Sequence, residues 1–215
     1  MNKLTTMLPI AVLVLSGCAG MMPTYKTEDA FAIFDVKGDQ INRNAFLGDV
    51  TKAIQENMSS AQINRSIPET DLPDKAPRFK LTNPFAGTAM GAMMGGGVKV
   101  PSCEQSLMTV NSADSSMQQS GESTSLYLCV QQYKAGYQLS IYVSHREATG
   151  GFSPQLLGAT MAKAFTGGSS QFIPRTINAV KTAAGHYGTI TLVDSYIPDS
   201  FKGAFYDGVS DLSKR

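Results

Sequence analysis

The sequence predicts an α+β domain in which helices pack on one face of a mainly antiparallel sheet and one disulfide staples the whole. Three observations carry that expectation. Apolar and polar side chains alternate through 126–131 and 137–144 on either side of Ala135-Gly136, the pattern of a half-buried hairpin. Apolar residues at spacings of three and four recur in 46–54 and 177–184, the pattern of helices with one buried stripe. Cys103 and Cys129 stand on either side of a polar loop, so that folding the loop brings them together.

Residues 18–29 lack apolar periodicity and read as a tether, which leaves 30–215 as a single domain. Ala30 to Val36 is apolar on both sides, as an interior strand is. Asn44 offers a cap to a helix running to about Asn57, with Phe46, Leu47, Val50 and Ile54 as its buried stripe. Pro68, Pro73, Pro77 and Pro84 deny long regular structure to 66–84, although Arg78 to Thr82 leaves room for a short edge strand. The run 85–98 is apolar and rich in glycine, with Gly87, Gly91 and Gly95 at every fourth position. On a helix these would line one face and admit another backbone, which makes the segment a candidate for membrane or self-assembly contact. The uncharged run from Pro84 to Val98 is shorter than the roughly 20 residues a span needs. Glycine also weakens helices, so a flexible apolar loop between the two halves of the domain is the preferred reading.

Register then follows from the alternation. A two-residue turn at Ala135-Gly136 sets Lys134 opposite Tyr137, Val130 opposite Ile141 and Leu128 opposite Val143, so the apolar side chains meet on one face. On the other face Gln131 meets Ser140 and Tyr133 meets Gln138. Tyr127, Tyr133 and Tyr142 belong to this polar-aromatic side, which suits an exposed surface contacting protein or glycan, or else a second buried face under the N-terminal segment. An earlier strand at about 105–111, folded back around Ser116, sets Thr109 against Ser123 and Cys103 against Cys129, within reach of a disulfide. Further on, Ser153-Pro154 starts a helix with Leu156, Leu157, Met161 and Phe165 on its buried face, and Gly167-Gly168 stops it. Pro174 begins another, with Ile177, Val180 and Ala184 in line and Gly185 as its stop. Thr189 to Val193 is a last strand, and Phe201 to Leu212 has helical spacing.

The leader indicates where the chain resides. Lys3 precedes the apolar run Met7 to Leu15, too short to span a bilayer and right for a secretory signal, and Leu15-Ser16-Gly17-Cys18 follows. That string resembles the lipobox of bacterial lipoproteins. The resemblance implies that 1–17 is a signal peptide removed before Cys18, and that Cys18 is the lipidation site, carrying acyl chains such as palmitate. Ala19 after the cysteine implies, in a Gram-negative envelope, sorting to the outer membrane with the domain facing the periplasm. In that oxidising compartment Cys103 and Cys129 are expected to be bridged.

Composition narrows the function. With 18 basic and 17 acidic side chains and no run of like charge, the chain lacks the basic surface that nucleic acid requires. His145 and His186 with two cysteines are too few ligands for a structural zinc site, and Glu69, Asp71 and Asp74 lack the glycine and terminal Glu of a calcium loop. No cofactor motif is present; the glycine-rich run lacks the Gly-Lys-Ser/Thr ending of a phosphate loop. Arg146 and Arg175 are candidates for an anion but read as surface charge. Ser144, His145, Asp194 and Ser195 can be combined into a triad on paper. No nucleophile elbow exists, however, and adjacent Ser144 and His145 leave a strand on opposite faces. The expectation is a non-catalytic, lipid-anchored envelope protein that binds or positions another envelope or secretion component. A lipid-anchored hydrolase, favoured if His145, Glu147 and Asp194 share a cleft, and a glycine-zipper membrane-active protein are the alternatives.

Overall fold

Long alternating strands dominate the molecule, as the pattern at 126–143 requires. The computed structural model describes residues 24–38, 40–58, 60–67, 70–83, 85–89, 99–114, 118, 121–149 and 172–198. In chain order these form β1 (Thr24–Lys37), α1 (Arg43–Gln55), β2 (Ala61–Arg65), β3 (Lys80–Thr82) and β4 (Val100–Ser102). There follow β5 (Ser106–Asp114), β6 (Glu122–Tyr133), β7 (Gly136–Thr149), α2 (Phe172–Gly185) and β8 (Thr189–Tyr196). The main sheet has the order β2-β5-β6-β7-β1-β8 and is antiparallel throughout, while β3 and β4 pair by themselves as a small arm. This is the α+β architecture expected, with the Cys103–Cys129 disulfide in place.

One face of the sheet carries the apolar core. Ala32, Phe34 and Val36 of β1, Leu128 and Val130 of β6, and Leu139 and Ile141 of β7 are buried there beneath α1 and α2. From α1 come Phe46, Leu47, Val50 and Ile54, and from α2 Ile177, Val180 and Ala184, each at the positions the spacing assigned. Phe46 is fully buried and touches the rings of Tyr137 and Tyr187, with centroids 4.9 Å and 5.4 Å away. Every side chain on this face is fixed by the pleat: residues two apart point the same way, so alternation in sequence becomes one apolar surface in space.

Several local expectations change. The strand at 30–36 is interior, between β7 and β8, but begins at Thr24; residues 24–29 pair with β7 from Thr24↔Thr149 onward and are sheet, not tether. The cap of α1 is Asn42, whose Oδ1 accepts from the Ala45 backbone at 3.2 Å, so Asn44 lies inside the helix. The β6–β7 hairpin turns at Lys134-Ala135 and pairs Val130 with Leu139 and Leu128 with Ile141, a register slip of two residues from the expectation. Because the slip is even, each side chain keeps its face. Its cause lies outside the hairpin: at Gly136 a Cβ would sit 2.1 Å from the Val36 carbonyl oxygen, so the glycine is needed inside β7, where β1 passes close, and not in the turn. Likewise Thr109 faces Cys129 directly, and Cys103 precedes β5. The disulfide therefore reaches Cys129 from over the sheet face, across a Cα separation of 6.5 Å, not from a facing strand position. The expected signal peptide 1–17, Cys18, Gly91, Gly95, the helix expected from Ser153 to Phe165 and the tail from Phe201 to Leu212 lie outside the described residues.

Candidate functional site

The second face of the sheet carries the polar and aromatic side chains, and it too is covered. Cys129, Gln131, Tyr133, Gln138, Ser140 and Tyr142 are all buried on it. The proline-rich stretch from Asp71 to Phe79 lies across them as a strap. Its prolines leave carbonyls free to accept, and the sheet supplies the donors: Gln138 Nε2 donates to the Pro77 carbonyl at 2.8 Å, and the Lys134 backbone to Pro73 at 3.0 Å. Gln131 Nε2 donates to the Glu104 carbonyl at 2.6 Å, beside the disulfide. Phe79 places its ring against Phe31 and Tyr142, centroids 5.9 Å and 6.2 Å apart. Exposed ion pairs, Arg78–Asp194, Lys80–Glu104 and Lys134–Asp74, border the strap.

This burial corrects the idea of an open tyrosine surface. Tyr133 and Tyr142 are 6% and 5% exposed. Tyr133 donates to Asp35 Oδ1 at 2.5 Å, and burial together with that carboxylate pushes its pKa up to about 12. Tyr142 is pushed up in the same way, by burial first and then by its hydrogen bond to Asp29. Tyr127 is only half-buried; burial raises its pKa, and a hydrogen bond with the Cys103 backbone opposes that rise. Neutral phenols anchored by hydrogen bonds are packing and positioning groups. Of the two readings of this face the buried one holds for Tyr133 and Tyr142, and the cover is the 71–79 strap and not the N-terminal segment.

Where the strap ends, the face opens. A cleft of about 440 Å³ lies between the sheet and the β4 end of the arm, a size suited to a small ligand. Its floor follows one row across four strands: Gln62 of β2, Asn111 of β5, Tyr127 of β6 and Tyr142 of β7, each paired directly with the next. Ser125 and Ser144, paired in the adjacent row, extend it, and Lys99, Val100 and Pro101 form the wall. Among the described residues the lining is uncharged apart from Lys99. Gln62 and Asn111 have no distinguishing sequence pattern; only the pairing of β2 and β5 with the hairpin brings them beside Tyr127.

The ionisable candidates do not gather in this cleft. His145 is 4% exposed on the helix-covered face, where Thr124 Oγ1 lies 2.9 Å from its Nδ1. Burial lowers its pKa, against the opposing influence of Glu147 and Glu28. Asp194 pairs with Ile33 on the strap-covered face and is engaged by Arg78. His145 and Asp194 are thus on opposite sides of the sheet, and so are Ser144 and His145, because alternate residues of a strand point to alternate faces. Arg146 stacks on the Tyr25 ring, 3.9 Å from its centroid. Among the described residues no group of three or more His, Cys, Asp or Glu side chains could hold a metal ion, and no helix is long and apolar enough to cross a membrane. Gly87 has φ 77° in a turn from Phe85 to Thr88, a conformation foreign to the right-handed helix that a glycine zipper requires.

The chain matches no protein-family model and no curated protein sequence. What the fold and cleft define is a class: a disulfide-stapled α+β domain with a polar-aromatic cleft on its sheet.

Proposed function

We propose that this chain is a lipid-anchored, non-catalytic envelope protein that holds another envelope component in the cleft beside Tyr127. The observation that carries the reading is the separation of chemistry from concavity. Groups capable of acid–base work, His145 and Asp194, sit on opposite faces of the sheet. The cleft meanwhile gathers neutral donors, acceptors and an aromatic ring, the equipment of recognition. The leader supplies the address: Leu15-Ser16-Gly17-Cys18 supports acylation of Cys18 and outer-membrane anchoring in a Gram-negative envelope.

Two experiments test the reading. Labelled palmitate should be incorporated by wild type and lost in Cys18→Ser, with the variant leaving the membrane fraction. A photo-crosslinker at Asn111 should trap a defined envelope component in intact cells, and a crosslinker at exposed Lys52 on α1 should not. Equal trapping from both positions, or none from Asn111, overturns the binding reading. Retention of label in Cys18→Ser overturns the anchor.

A further inference from the structure

Resting on that reading, the geometry points to an uncharged saccharide segment, laid across the strands, as what the cleft holds. The floor residues Gln62, Asn111, Tyr127 and Tyr142 belong to successive strands in one row. Strand-to-strand spacing is about 4.8 Å, close to the rise per sugar of an extended pyranose chain, so successive sugars meet the side chains of β2, β5 and β6, with the buried Tyr142 closing the far end of the row. Gln62 and Asn111 each offer an amide donor and acceptor, and Ser125 and Ser144 offer hydroxyls, matching ring hydroxyls and N-acetyl groups. The half-buried Tyr127 offers an apolar ring between them for the C–H face of a sugar, and its hydroxyl is engaged by the Cys103 backbone, so the disulfide-linked loop fixes the ring.

Other ligand classes fit less well. An extended peptide recognises a sheet through a free strand edge; of the four strands beneath the cleft β5, β6 and β7 are each paired on both sides, and only the five-residue edge strand β2 could offer one. An anionic ligand would find one cation among the described lining residues, Lys99, and an acyl chain would leave the amides and hydroxyls without partners. The wall from Val100 to Pro101 closes one side with apolar surface.

The test is calorimetric titration of the full-length protein in detergent micelles with a linear N-acetylglucosamine tetramer, and with tetra-alanine as the peptide comparison. Saturable binding of the tetrasaccharide alone is expected. Tyr127→Ala should weaken it roughly tenfold, as loss of a central ring does. Asn111→Ala, at an exposed position, should weaken it by about threefold to tenfold, as loss of one hydrogen-bonding side chain does. Absence of saturation, equal binding of tetra-alanine, or full affinity in both variants overturns the inference. If the tetrasaccharide fails while the Asn111 crosslinker still traps a protein, the saccharide inference falls and the anchored-binding reading stands. If neither occurs, both fall.

Discussion

The two faces of the sheet are both buried, yet they are held by different physics. Beneath the helices the contact is apolar: Phe34, Phe46, Leu128, Ile141 and Ile177 are fully buried and interlock without directional partners. Beneath the strap it is polar and specific: Gln138 to Pro77, Gln131 to Glu104, Tyr133 to Asp35, and one covalent bond from Cys103 to Cys129. The first face resembles a domain core, whose strength scales with area removed from water. On the second, the strap is positioned by the Gln138–Pro77 and Lys134–Pro73 bonds, the 103–104 loop by Gln131 and the disulfide, and Tyr133 ties β6 to β1; breaking a hydrogen bond here leaves a polar group unsatisfied. The lesson is that the helix face specifies the fold, and the strap face specifies where the cleft opens.

Breaking each face in turn should separate these roles. The largest effect is expected from Phe46→Ala, about 3–5 kcal/mol of global stability, read as an earlier denaturant midpoint for the whole domain. Next is Cys103→Ser with Cys129→Ser, at about 3 kcal/mol for a loop of this order. Here hydrogen exchange should rise first in 71–79 and 103–105, with the β6 and β7 amides still protected. Equal loss across the sheet would show that the strap is not a separate layer.

Titration sharpens the same comparison. Tyr133 has a folded pKa of about 12 against an ordinary 10.0, so its contribution is complete below pH 10 and is lost as pH rises through 12. His145 is depressed below 6.5, so its contribution is complete above that pH and is lost as pH falls through its folded value. Urea midpoints should therefore fall at both extremes. Tyr133→Phe should flatten only the alkaline limb and His145→Gln only the acid limb; one variant flattening both would merge the two faces.

Smaller effects follow from single bonds. Gln138→Ala should cost about 1–2 kcal/mol by leaving the Pro77 carbonyl without its donor, and it should raise exchange in the strap more than in α1. Smallest is the helix cap: Asn42→Ala should cost about 1 kcal/mol, while Asn44→Ala, inside the first turn, should be near neutral or slightly stabilising. Thermal unfolding of the two variants side by side decides the assignment.

The sequence by itself determined whatever depends on local periodicity. Alternation placed Leu128, Val130, Leu139 and Ile141 on one face and Gln131, Tyr133, Gln138 and Tyr142 on the other, and a register slip of two residues could not change that, since the pleat has period two. Spacings of three and four likewise placed Phe46, Val50, Ile177 and Val180 in the core. Tertiary structure alone decided what comes from distant chain. Val36 crowds Gly136 and shifts the turn; Pro73, Pro77 and Phe79 close over a face whose pattern fits an exposed surface and a buried one alike; and Gln62 and Asn111 reach Tyr127 only through pairing of β2 with β5 and β5 with β6. A proline-rich segment has no period from which to read its docking site, because its carbonyls, not its side chains, find the partners.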